Sequence, residues 1–231
     1  HCLIRPGTES EVEGPQRTSR QHQADETRAR LLAVAWEMIR EEGVAEFTVR
    51  KLAHRAHVSV GLPHAHFGTR EELVDALRVR AWDEIDFVIA QAVGEATLGP
   101  ETSHPRARYE GELRRGLEAV VAFALQEPNV YDLVALTPGL HVSDRVLVRE
   151  LQTAQRFIAM LGDGQRAGAF RFKDDPGIYA LALWTAVQGY VQRVRATMAP
   201  GFQAYQARVF DVLVDVFLDA VRAEDARESN E

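Results

Sequence analysis

The chain of 231 residues contains one cysteine, Cys2. An intrachain disulfide and a cysteine-based zinc site are both excluded, and a reducing compartment is expected. No window approaches ~18 consecutive apolar residues, so no transmembrane helix is expected. The N-terminus has no apolar h-region, so no secretory signal is expected and a cytoplasmic protein is the default. Cations are in deficit: 27 Lys and Arg against 34 Asp and Glu leave a formal charge of −7. A protein that coats nucleic acid without regard to sequence needs a uniformly basic surface, which this composition does not provide. Sustained period-2 alternation and Asn-Gly hairpin signals are missing. So are G-x-S-x-G, the P-loop and H-E-x-x-H, and Gly162, Gly164 and Gly168 fall between helical segments rather than after a strand. Neither an enzyme nor a bound cofactor is expected.

What is present is helical periodicity. Hydrophobic residues make up 46% and charged residues 26%, which is enough apolar material for a real core and argues against bulk disorder. Residues 1–24 are polar, carry Arg5, Arg17 and Arg20, and read as an irregular arm. From Asp25 onward, Leu31, Leu32, Ala35, Met38 and Ile39 follow the spacing of one helix face. Gly43 stops that helix. Thr48 is placed to cap a short second helix through Leu52 and Ala53, and Ser59 to cap a third, ended by Phe67-Gly68. Thr69-Arg70-Glu71-Glu72 is a capping box that opens a fourth helix, with Leu73, Leu77, Trp82, Ile85 and Ile89 along it. Further helices are expected over 109–127, 130–136, 144–161, 176–198 and 202–223, with 162–168 a loop. The chain is all-α, with about nine helices.

The window 48–70 holds Arg50, Lys51, Arg55 and Arg70 and no acid, a local charge of +4 that leaves −11 elsewhere. Four of the eight histidines, His54, His57, His64 and His66, fall in the same window. Two short, capped, basic helices joined by a tight turn form a helix-turn-helix signature, whose second helix enters the major groove. The histidines also permit a metal reading, but no Cys or acid in the window completes a tetrahedral set, so no metal is expected.

The run from Thr48 to Leu73, with Leu52-Ala53, Ala56-His57-Val58-Ser59, Gly61, His66-Phe67, Thr69-Arg70-Glu71 and Leu73, resembles the N-terminal domain of the TetR family of one-component repressors. The resemblance covers about residues 25–85, with the helix-turn-helix at 48–67. Residues 86–231 are similar to the family only in architecture, which implies a helical ligand-binding and dimerisation domain. The segment Leu183-Trp184-Thr185-Ala186-Val187-Gln188-Gly189 resembles a C-terminal subclass, with Gln188 where His is usual.

The resemblance implies a role for each matching position. Thr48, Arg50, Ser59, Val60, Gly61, Leu62, His64, His66 and Arg70 are the candidate contacts to a double-stranded operator, Arg70 through a phosphate. Three positions depart from the pattern. His57 replaces a turn glycine, so either it sits in left-handed space at some cost or the turn differs. Pro63 replaces Ile or Leu and, with Ser59 as cap, falls at N4, where it loses the first intrahelical bond. His64 replaces a phosphate-binding Tyr. The last two helices are apolar over a wide arc: Phe210, Leu213, Val214, Phe217 and Val221 mark one face, and Val209, Val212 and Val216 widen it. The family relationship implies that these two helices build a homodimer that reads a pseudopalindrome. It also implies a small-molecule effector bound within helices 85–190, with Tyr109, Phe123, Tyr131, Phe157, Met160, Trp184 and Gln188 as candidate lining. The function expected is a ligand-responsive transcriptional regulator, most simply a repressor. The alternative is an all-helical dimeric scaffold or small-molecule-binding protein without specific DNA binding.

Overall fold

The computed structural model describes residues 19–97, 104–135, 143–196 and 202–222. Among these, nine helices follow in order: α1 (Ser19–Glu42), α2 (Val49–Arg55), α3 (Gly61–Phe67), α4 (Arg70–Thr97), α5 (Pro105–Gln126), α6 (Pro128–Ala135), α7 (Asp144–Arg166), α8 (Pro176–Ala196) and α9 (Phe202–Val221). The expected arm residues Arg5 and Arg17 and the expected helix end at 136 lie outside the described residues.

Local signals set most of these boundaries. Gly43 takes a left-handed φ of 81° while its N–H donates to the Ile39 carbonyl at 2.8 Å, which ends α1. Thr48 is extended and its hydroxyl accepts from the Lys51 N–H at 3.1 Å, capping α2. The capping box forms in full: the Glu72 N–H donates to the Thr69 hydroxyl at 3.1 Å, and the Thr69 N–H to the Glu72 carboxylate at 2.8 Å. Pro105 occupies the first turn of α5, where its missing N–H costs nothing.

Several boundaries differ from the sequence expectation, and two of them are informative about the fold. Helix α1 begins at Ser19, ahead of Asp25. Residues 20–24 are exposed and buried apolar positions begin at Leu31, so apolar periodicity could not reveal this turn. Helix α7 runs on through Gly162 and Gly164 to Arg166, and the break comes at Gly168, with φ 75°. Gly164 is there for close approach. A Cβ at that position would sit 2.4 Å from the Phe170 ring, so the glycine admits the chain that turns back after α7. That return is pinned where the Arg171 N–H donates to the Val221 carbonyl at 2.7 Å.

One hydrophobic cluster extends from α1 to α9. Helix α4 is its axis. With 28 residues it is about 42 Å long at ~1.5 Å per residue, and it packs against α1, α3, α5, α6 and α7. Its N-terminal half supports α1–α3. Farther along, Trp82, Ile85 and Ile89 enter the larger helical body.

Candidate nucleic-acid interface and ligand cavity

The turn between α2 and α3 is built from a backbone motif. The His57 N–H donates to the His54 carbonyl at 3.1 Å, and the Val58 N–H to the Ala53 carbonyl at 3.0 Å. These are the paired bonds of a Schellman C-cap, whose central residue must be left-handed. His57 fills that place with φ 54°, the left-handed alternative for a residue standing where glycine is usual.

Helix α3 starts later than its sequence suggests. Its N-cap is Val60, with no side-chain cap, so the expected Ser59 hydroxyl cap is not formed. Ser59 is exposed and contributes only its carbonyl, which accepts from Leu62 N–H at 3.0 Å. The shift alters the reading of Pro63. With Val60 as N-cap, Pro63 stands at N3, among the four N–H groups that have no intrahelical partner in any case. The proline therefore removes no helix bond, and its ring is buried beneath α3.

The candidate contacts divide by exposure. Thr48, Arg50, Ser59, Val60, Gly61 and His64 are exposed; Leu62, His66 and Arg70 are partly buried. A Cβ on Gly61 would meet nothing within 4 Å, so no packing within the described protein requires glycine there. His64 Nδ1 donates to the Gly68 carbonyl at 2.9 Å. In the neutral ring that is the single donor, so a second bond donated to phosphate needs the imidazolium. Arg70 Nε donates to the Phe47 carbonyl at 3.1 Å, and its guanidinium also to the Val44 carbonyl at 3.0 Å. It ties the start of α4 to the α1–α2 connection. The expected phosphate contact would have to share a guanidinium already used in this way.

The charge of the window is also redistributed. Lys51 reaches Glu42 at 3.2 Å and Glu46 at 3.4 Å, and Arg55 pairs with Glu41 at 2.6 Å. Half of the +4 counted along the sequence is therefore met by acids of α1 and the loop after it. Among the described residues, Arg50 and Arg70 are the window's cations with no acidic partner, and Arg70 is held by backbone carbonyls instead.

The larger body contains a cavity of ≈ 260 Å³ between α4, α7 and α8. Trp82 from α4, Glu150, Thr153 and Phe157 from α7, and Ala180 and Trp184 from α8 line it. Of the seven residues expected to line a pocket, Phe157 and Trp184 do so. Tyr109, Phe123, Tyr131, Met160 and Gln188 are not in this lining; Phe123, Tyr131 and Met160 are buried core. Sequence reasoning missed Trp82 and Glu150. Trp82 reads as one more core residue of α4, and Glu150 as part of a solvated face. Burial pushes the Glu150 carboxyl above its usual range, with no cation among the described residues to offset it.

Helices α8 and α9 present a second apolar surface. Phe210, Val214, Leu218 and Val221 turn into the chain's own core. Tyr205, Val209, Val212 and Val216, on the opposite side of α9, are exposed, as are Ile178 and Leu181 on α8. Ala182, Ala186 and Gly189 are also exposed. Among the described residues, no group of three or more His, Cys, Asp or Glu could hold a metal ion, and no helix is long and apolar enough to cross a membrane.

A helix-turn-helix carried on a long helix that runs into a cavity-bearing helical body defines a DNA-binding transcriptional regulator. Comparison with known proteins gives the family. Residues 31–77 match the profile of "Bacterial regulatory proteins, tetR family", and residues 113–217 that of the "Tetracyclin repressor-like, C-terminal domain". The chain belongs to the TetR family. It is 26% identical over 153 residues to the HTH-type transcriptional repressor KstR2 of Mycobacterium tuberculosis, covering 64% of this chain and 72% of that protein. Its fold is similar to a protein of unknown function from Rhodococcus sp. RHA1, with TM-score 0.68, 25% identity, and 84% and 95% of the two chains covered. It is also similar to RolR in complex with resorcinol, with TM-score 0.61, 17% identity, and 89% and 92% covered.

Proposed function

We propose that the protein is an effector-released repressor, acting in the cytoplasm, that binds a pseudopalindromic operator as a homodimer. The carrying observation is α4. The same helix seats the helix-turn-helix at one end and contributes Trp82 to the cavity wall farther along. A ligand against Trp82 thus touches the support of the DNA-reading head. It shifts the balance between DNA-competent and incompetent forms only if it binds the two unequally.

In this reading α3 enters the major groove, with Val60 and Leu62 toward base edges. Gly61 leaves clearance, and Thr48 and Arg50 reach phosphate. Residues 25–85 form the DNA-binding domain and residues 86–231 the effector and dimer domain. The exposed faces of α8 and α9 meet their copies in the partner, which spaces two α3 helices one helical turn of DNA apart. The repressor named KstR2 supports the direction of control.

The test is a gel-shift titration of DNA flanking the gene against random DNA, with sedimentation in parallel. A flanking fragment bound by a dimer, ahead of random sequence, is the expected result. No preference for any flanking fragment leaves the scaffold reading. A Val209→Glu, Val216→Glu variant that remains dimeric removes α8 and α9 as the interface.

A further inference from the structure

We propose that the cavity lined by Trp82 and Trp184 takes a small organic cation, a one-ring amine, with Glu150 as its counter-ion. The proposal rests on reading this cavity as the effector site. Among the described residues, Glu150 is the one ionisable residue in the lining. The other polar side chain there, Thr153, is buried, and its hydroxyl already donates to the Arg149 carbonyl at 3.3 Å. The cations beside Glu150 are taken up elsewhere. Arg149 bonds Asp83 and lies 3.3 Å from Asp86, and Arg156 grips the same Asp86 at 2.9 Å. Two acids of α4 thus satisfy two arginines of α7 and leave the cavity carboxylate without a partner on its own helix.

A carboxylate drawn partly out of water into an apolar wall is costly unless a cation meets it there. Burial pushes its pKa up for the same reason. A ligand cation supplies the missing charge. The lining indoles of Trp82 and Trp184 add a second attraction for a positive group that seats over a ring and none for an anion. The volume of ≈ 260 Å³ lies just below the usual ~300–1,000 Å³ of ligand clefts, which favours one ring over several.

The full-length protein is titrated at pH 7 with 2-phenylethylamine, 2-phenylethanol and 3-phenylpropionate, by calorimetry and by tryptophan fluorescence. Two of the three tryptophans line the cavity, so the emission reports on it. The amine is expected to bind about tenfold tighter than the alcohol, and the acid weaker than either. Glu150→Gln should bring the amine down to the level of the alcohol and leave alcohol affinity unchanged. An alcohol that binds the native protein as well as the amine overturns the cation assignment. So does a Glu150→Gln protein that keeps the preference. If amine and alcohol bind equally and Trp184→Ala weakens both, the effector cavity stands and only the ligand class falls. If none of the three binds, the cavity reading falls with it.

Discussion

The ring centroids of Trp82 on α4 and Trp184 on α8 lie 6.0 Å apart, tilted by 37°. This contact bridges the helix that carries the DNA-reading head and a helix of the proposed dimer face. Trp82 is 3% exposed, whereas Trp184 is half-buried at the cavity edge. Trp82→Ala should therefore cost roughly 3–5 kcal/mol, the range for a buried large-to-small change, and Trp184→Ala clearly less. Urea unfolding midpoints at unchanged m-value check the order. Equal losses would mean that Trp184 is as buried in solution as Trp82, as when a partner subunit covers it.

Arg50 and Arg70 separate binding from folding. Arg50 is exposed beside the α2 cap, so Arg50→Ala should weaken binding to all DNA sequences alike and reduce the salt slope by about one unit. Its melting temperature should hold. Arg70 donates to two backbone carbonyls, so Arg70→Ala should lower stability by about 1.5–3 kcal/mol through loss of charged hydrogen bonds. DNA binding then falls because the head loosens. Thermal unfolding together with a salt-varied gel shift distinguishes the two. Arg70→Ala with native stability and a flattened salt slope would restore the direct phosphate role.

His57 stores strain that glycine would release. At φ 54° its Cβ crowds the backbone, at a cost of about 1–2 kcal/mol for an ordinary residue. His57→Gly should stabilise by about 1 kcal/mol, somewhat reduced by the greater freedom of the unfolded glycine chain. His57→Val should destabilise, because a β-branched residue tolerates this region worst. Differential scanning calorimetry of the three proteins gives the order directly.

The caps and stops of the reading head were legible because each is a local event within a few residues. Thr48 with Lys51, Thr69 with Glu72 and the left-handed stop at Gly43 formed as the residue types require, whereas Ser59 does not cap α3 and His57 takes its left-handed place against its type. The site chemistry was less legible, because it depends on what folding brings close. The pairing of Lys51 and Arg55 with α1-side acids removes half of the apparent basic patch, and window charge cannot show that. An apolar helix position looks alike whether it faces a void or a neighbour, which is why Trp82 was missed and Met160 was expected. On α9 the widening residues Val209, Val212 and Val216 are the exposed ones, and the strongest apolar face is spent on the chain itself.

The corner between α5 and α6 holds the end of α1. Arg40 Nε donates to Glu127 at 3.0 Å, and Asn129 Nδ2 donates to the Arg40 carbonyl at 2.9 Å. Arg40 remains 42% exposed, so the ion pair is worth only ~0–1 kcal/mol of stability. Its consequence is orientation of the head. Glu127→Ala with Asn129→Ala should leave the melting temperature within a few degrees while hydrogen exchange at the C-terminal turn of α1 quickens. Unchanged exchange there would show that the core contacts of Trp36 and Ile39 alone hold the helix.

Tyr131 is fully buried, and its hydroxyl has no hydrogen-bond partner among the described residues. Leaving a buried hydroxyl unpaired costs about 1–3 kcal/mol, so Tyr131→Phe should stabilise by a good part of that. In a chain of this size each ~1 kcal/mol raises Tm by about 2–4 °C. Burial also pushes the phenol's pKa up to about 12, above its usual ~10. In the unfolded chain the phenol loses its proton first, so folding loses stability as pH rises between those values. The advantage of Tyr131→Phe should therefore widen across that window by up to ~1.4 kcal/mol per pH unit. Urea titrations at pH 7 and at several alkaline values measure both effects. If Tyr131→Phe instead destabilises at pH 7, the hydroxyl is satisfied in solution, and the pocket that satisfies it becomes a site to map.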